Sequence, residues 1–245
     1  GEELDGADWP YWQAKRREEE LGIDEAELRK YFPLEQVLTD GVFYAANLLY
    51  GITVEKREDL AGYREDVDVW EVKEEDGTGI GLLLTDYNAR PSKRGGAWMD
   101  ECVGRSQRLA AGGATVRLPV AYLVCNQAPP VGDRPSLMSF DEVTTLFHEF
   151  GHGLQHMLTR VDEGLAAGIR NVEWDAVELP SQFMENWCYQ RGTLAEISAH
   201  VDTGEPLPDA LYEKLRAARH YRAGSDMLRQ LYFAFTDLAL HHEYR

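Results

Sequence analysis

His148 and His152 stand four residues apart, and Glu149 directly follows the first of them. On an α-helix, positions i and i+4 share a face, so both imidazoles can aim at one metal ion. Glu149 is turned from His148 by roughly 100°, which sets its carboxylate beside the ion rather than on it. Two nitrogen ligands, an open coordination position and an adjacent carboxylate base are what hydrolysis by a metal-activated water requires. The five-residue pattern is short, so the surrounding residues decide how much it means.

Those residues put it on a buried helix. Ser139-Phe140-Asp141-Glu142 has the form of a capping box, with Ser139 as N-cap and Glu142 at the third helical position. Met138 and Val143 supply the accompanying hydrophobic staple. Val143, Leu146, Phe147, Phe150 and Leu154 then recur with the helical rhythm of a core-facing stripe. A catalytic zinc takes three protein ligands and keeps one exchangeable position, so a third ligand must come from another element. By spacing alone Glu173, Asp175, Glu178 and Glu185 are comparable candidates, and Asp175 to Glu178 also has the form of a capping box. His156 continues the histidine row, but a drift of about 80° over two turns carries it off the ion and leaves a packing or ligand-orienting role. His200, His220, His241 and His242 have no metal spacing with a neighbour.

Composition narrows the partners. With 245 residues the chain can bury a sizeable core as one large domain or two small ones. Forty-three acidic residues against 25 Lys and Arg give a net charge of −18, which argues against nucleic acid and anionic membranes and favours cationic or neutral substrates. Cys102, Cys125 and Cys188 are too scattered for a disulfide framework or a paired metal motif, so a reducing compartment and buried thiols are expected. No apolar run approaches membrane-spanning length, and no signal peptide opens the chain.

Periodicity predicts a charged helix over 11–32, an apolar helix over 34–50, and an alternating strand at Val67-Asp68-Val69-Trp70-Glu71-Val72. Asp76-Gly77-Thr78-Gly79 is a turn leading into a second strand over 80–87. Residues 90–104 read as a Gly-rich loop at the edge of the site; Arg94-Gly95-Gly96 lacks the Lys-Ser/Thr ending of a phosphate loop. Residues 116–125 form a strand, and Pro119 makes an edge strand of it, able to pair with an extended peptide. Residues 160–171 are either a mobile cover or an ordinary connection. Pro208 opens a helix to about 221, and a last helix over 227–242 has Leu228, Leu231, Phe235 and Leu238 as its buried stripe.

Phe147-His148-Glu149-Phe150-Gly151-His152, with Glu178-Leu179-Pro180-Ser181-Gln182-Phe183-Met184-Glu185-Asn186-Trp187, resembles the thimet oligopeptidase and oligopeptidase A family of zinc peptidases. The similarity continues through Lys93-Arg94-Gly95-Gly96-Ala97-Trp98-Met99-Asp100, Pro119-Val120-Ala121-Tyr122-Leu123 and Thr203-Gly204-Glu205-Pro206-Leu207-Pro208, with the oligopeptidase A branch nearest. The resemblance implies that His148 and His152 are zinc ligands, that Glu149 is the general base and that Glu178 is the third ligand. Asp175 and Glu185 lie near the face of Glu178, at i−3 and i+7, so either one of them orients a ligand imidazole or both serve only in helix capping or solvation. The resemblance also implies that an edge strand beside the zinc helix binds peptide substrate. Family members are much longer, so this chain resembles their central catalytic portion. The tyrosine and histidine donors that assist their oxyanion lie in a segment absent from it.

The resulting expectation is an α+β, mainly helical, zincin-like core with a small, mostly antiparallel sheet beside the metal-binding helices. Residues 1–51 are a helical entry segment, 52–138 the sheet and site-edge loops, and 139–245 the zinc-binding helices and a helical bundle. One zinc per chain would activate water for hydrolysis of short unstructured peptides, with Glu149 as base. The full-length protein is expected to be a monomer in the cytoplasm, mitochondrion or chloroplast, not secreted. The alternatives are a zinc-binding fragment inactive without its missing segments, or a different zincin branch with His200 as a distant ligand. The longer histidine pattern of that branch fails at Leu158.

Overall fold

The computed structural model describes residues 5–244. It divides into a unit spanning Glu25–Leu207 and a second unit made from the chain before and after it. The larger unit carries every residue of the candidate site. Its five-stranded sheet contains β1 (Thr53–Lys56), β2 (Asp68–Lys73), β3 (Gly79–Asn88), β4 (Trp98–Val103) and β5 (Val120–Gln127), in the order β1-β2-β3-β5-β4. All neighbours are antiparallel except β3 and β5, which run parallel. The expected turn forms between β2 and β3, with Asp76 Oδ1 accepting the Thr78 amide at 2.8 Å.

One face of the sheet is covered by the helix that bears the two histidines, labelled α5 (Phe140–Met157) once the shorter helices before it are counted. Those are α1 (Trp9–Leu21), α2 (Glu25–Arg29), α3 (Leu34–Gln36) and α4 (Tyr44–Tyr50), the last two joined by a π-helical stretch, Val37–Phe43. Phe147 and Phe150 of α5 are fully buried, and Phe43 packs against both Phe150 and Trp70. Trp70 donates its indole N–H to Thr85 Oγ1 at 2.9 Å inside this layer, so its polar atom is not stranded. After α5 come α6 (Leu179–Glu185) and α7 (Arg191–Ile197).

Four sequence expectations change. The strand over 116–125 is not at an edge: β5 lies between β3 and β4, and β4, inside the expected loop over 90–104, is an edge strand, with β1 at the opposite edge. Pro119 is tolerated because it precedes the strand and contributes only its carbonyl, which accepts the Leu82 amide at 3.0 Å. The helix over 11–32 is broken at Gly22, which adopts φ 61° and closes α1 onto the Glu18 carbonyl. Cys125 and Cys188 are buried, but Cys102 is exposed on β4, 2.9 Å from the Tyr122 hydroxyl.

The fourth change lies in the second unit, where α8 (Asp209–Ala218) packs on α1 and α9 (Ala223–Leu238) follows. Leu228, Leu231, Phe235 and Leu238 keep their helical spacing on α9 but are exposed. The periodicity marks a face suited to burial, and nothing among the described residues covers it. No helix among the described residues is long and apolar enough to cross a membrane.

An ionic cluster centred on the buried Asp86 and Lys93 holds the chain between β3 and β4. Asp86 accepts both guanidinium nitrogens of Arg90 at 2.8 Å, the Tyr63 hydroxyl at 2.6 Å and the Lys93 ammonium at 2.9 Å. Burial pushes its carboxyl up, but the bonds from Arg90, Tyr63 and Lys93 outweigh that and hold it well below the usual range. Its stabilisation is thus fully present above an unfolded-state value of about 4 and is lost as pH falls through the depressed folded-state value. Asp86→Asn is expected to cost about 3 kcal/mol by leaving the buried Lys93 uncompensated, a loss readable by chemical denaturation at neutral pH.

Candidate metal centre

The capping box forms as the sequence predicts: Glu142 N–H donates to Ser139 Oγ at 3.1 Å, and the Ser139 amide to Glu142 Oε2 at 2.6 Å. Arg29 adds a bond to Glu142 at 3.1 Å, tying α5 to the chain ahead of the sheet. This fixes the helix start and hence the rotation of everything along it. His148 and His152 fall on one face with ring centroids 5.0 Å apart.

The second element arrives by an unusually close helix contact. A Cβ at Gly151 would lie 2.6 Å from Ser181 Cα and 2.7 Å from the Pro180 carbonyl oxygen, so only glycine lets the backbone of α6 approach α5 here. Glu178 sits at the N-cap of α6, but its side chain does not cap the helix. It turns instead toward the histidines, where Oε2 lies 3.1 Å from His148 Nε2 and 3.2 Å from His152 Nε2. The Ser181 hydroxyl donates to the same oxygen at 2.8 Å. The capping box suggested by Asp175 to Glu178 does not form; Asp175 and Glu173 are exposed, outside the cluster.

Ligand atoms of His148, His152 and Glu178 lie within 4.8 Å of one another, the one such group among the described residues. Two imidazole nitrogens and a carboxylate oxygen suit zinc in chemistry and in number, with one position left for exchange. Glu185, one of the two candidates for orienting a ligand, reaches His148 Nδ1 at 2.6 Å, whereas Asp175 does not. That bond fixes the His148 tautomer and leaves Nε2 to face Glu178. His152 Nδ1 is buried with no hydrogen-bond partner.

Electrostatics separate the four groups. The bond to Glu185 holds His148 above its ordinary pKa, while burial holds His152 below it, favouring the neutral form a ligand needs. Glu178 is pushed up by burial but held lower overall by Ser181 and both imidazoles. Glu149 is 8 % exposed, and burial raises it against the pull of His148 and the Met99 amide on β4, toward the range of a working base. A cavity of about 300 Å³, lined by Thr144, Thr145, His148, Glu149 and Glu185, opens beside these groups. His200 stands edge-on against Tyr31, 4.9 Å between centroids, and takes no part.

Residues 2–245 match the family model described as Peptidase family M3. The chain is 58 % identical over 239 residues to organellar oligopeptidase A, chloroplastic/mitochondrial, of Arabidopsis thaliana, covering 97 % of this chain and 30 % of that protein. It is 56 % identical over 239 residues to probable cytosolic oligopeptidase A of Arabidopsis thaliana, covering 97 % and 34 %. It is 48 % identical over 244 residues to oligopeptidase A of Escherichia coli (strain K12), covering 100 % and 35 %. The chain thus spans about a third of the length of these curated relatives.

Proposed function

Because this chain belongs to peptidase family M3, we propose that it is the zincin-like catalytic core of a zinc-dependent oligopeptidase. His148, His152 and Glu178 would hold one zinc, and Glu149 would serve as general base. The convergence of the three ligand atoms within 4.8 Å, beside a buried carboxylate one residue along α5, carries this reading. When bound, zinc supplies Lewis acidity toward a scissile carbonyl and a water of lowered pKa. The chain's own groups do the rest. Glu149 accepts the water's proton at its carboxylate and returns it to the leaving amine. Glu185 and Ser181 keep His148 and Glu178 aimed.

Peptide would lie along β4. As an edge strand it leaves alternate backbone groups of Trp98–Val103 without a sheet partner, and it packs on α5, the helix that carries Glu149. An extended peptide can supply those bonds, whereas a folded protein must first open locally, at a cost that rises toward its global stability of about 5–15 kcal/mol. By likeness to its relatives, the protein would work in the cytoplasm or an organelle, on short peptides. A second reading, a zinc-holding segment without turnover of its own, is favoured by the one-third coverage of those relatives.

The test uses the intact polypeptide that carries this chain. A quenched peptide of about ten residues should be cleaved, a stable folded protein spared, and a chelator should stop the cleavage. Folded protein cut as fast as the peptide would replace the oligopeptidase reading with a general endoprotease on the same residues. Zinc binding without cleavage by this segment alone would select the second reading for the segment.

A further inference from the structure

His156 is the third histidine of the row on α5, one turn beyond His152, and it is fully buried. It faces the far end of β4 rather than the cluster. Its Nε2 lies 3.0 Å from the carbonyl oxygen of Val103, the last residue of that strand. Its Nδ1 accepts the Ile169 amide at 3.5 Å from the connection between α5 and α6. The two bonds divide the ring nitrogens between two elements, Nε2 donating to Val103 and Nδ1 accepting from Ile169. The pairing of β4 with β5 shifts register between Glu101 and Val103, and the carbonyl given to His156 sits at that shift.

Neighbouring residues are shaped around the ring. Gly168 adopts φ +69°, and a Cβ there would fall 2.4 Å from His156 Nδ1. Glu101 on β4 places Oε2 3.8 Å from the same nitrogen and uses Oε1 to bind Arg170 at 2.6 and 2.7 Å. Asp162 accepts the Gln107 amide at 2.9 Å and the Arg105 guanidinium at 2.7 Å. The stretch over 160–171 is therefore pinned to the β4 side of the sheet at several points, and His156 joins that stretch, β4 and α5 at one ring.

We propose that His156 is a positioning residue for peptide binding: it sets where the β4 edge lies along α5, and so the height of a paired peptide over Glu149 and the metal cluster. This rests on the peptidase reading above. Losing the ring frees Val103 and Ile169 and lets the edge drift, while His148, His152 and Glu178 keep their own contacts. The effect belongs on substrate binding, not on metal affinity or on the chemical step.

The test compares His156→Leu, which makes neither bond, with His156→Gln, whose amide can donate to Val103 and accept from Ile169. In the intact polypeptide, His156→Leu should raise KM for the quenched peptide about tenfold, keep kcat within about threefold and leave zinc content unchanged. Amide exchange should quicken over 98–103 and 160–171 and not along α5. His156→Gln should restore KM. Gly168→Ala, which drives a methyl into the ring, should reproduce the KM change and stands in if His156→Leu does not fold. An unchanged KM with unchanged exchange at β4 overturns the proposal, as does faster exchange across the whole chain accompanied by zinc loss. If the wild-type protein neither binds zinc nor cleaves peptide, the peptidase reading fails, and the exchange pattern alone decides whether His156 holds the strand.

Discussion

Glu149→Gln is expected to keep its zinc and to lose peptide cleavage by a factor of about 10²–10⁴ or more. The amide has the shape of the carboxylate and enters the same 8 %-exposed site, so the packing of α5 against β4 need not change. It cannot take a proton from water at neutral pH. Glu149 also lies outside the converging trio, so its loss removes no donor atom. Zinc content by mass or atomic spectroscopy, measured beside turnover of the quenched peptide, separates the outcomes. Zinc loss in this variant would make Glu149 a ligand, and retained turnover would move the base elsewhere.

The second large effect concerns the third ligand. Glu178→Ala should weaken zinc binding well beyond the roughly 10–100-fold typical of losing a group that only orients a ligand. Glu185→Ala should fall within that smaller range, because it removes the 2.6 Å bond to His148 Nδ1 and leaves all three donors in place. Asp175→Ala should change little, its carboxylate being exposed and away from the trio. Competitive titration against a zinc indicator orders the three variants. Should Glu185→Ala prove the worst, the third-ligand role belongs to Glu185 and not to Glu178.

Local rules carried the α5 half of the site. A capping box, an apolar stripe and an i, i+4 histidine pair are all written within a few residues of one another, and they fix the helix start, its buried face and the aim of His148 and His152. The other half is not local. Spacing could not rank Glu178 above Glu173, Asp175 or Glu185; resemblance did, and the structure adds a physical reason in Gly151, which brings the α6 backbone against α5. Likewise nothing near Glu185 in sequence announces His148 as its partner, 37 positions away.

The sheet shows the same division. β2, its turn and β3 follow from alternation and turn chemistry, since both strands meet across a short connection. β4 does not stand out in the sequence, because Trp98–Val103 alternates weakly and owes its strand form to β5, paired with it across a long intervening stretch. Pro119 misled for a related reason. A proline argues for an edge only where the ladder needs its N–H, and here the ladder takes its carbonyl.

The strand order has a consequence for how the molecule assembles. From β3 the chain passes the central slot, lays down β4, and returns so that β5 enters between them. Joining β5 to β3 closes a loop roughly twice as long as joining β5 to β4, a difference of about 0.6 kcal/mol in closure entropy. The β4–β5 pair is therefore favoured to form first and to dock onto β3 as a preformed ribbon, under α5. Before that docking the ribbon exposes two edges, and afterwards one. The folding step that completes the sheet also chooses which edge remains open, so a ribbon that docks through β4 instead would bury the edge proposed for substrate and present β5 to the solvent. Such a species would have much of its secondary structure and no peptide-binding register, a kinetic trap that refolding experiments could detect as protein with ordered strands and no activity.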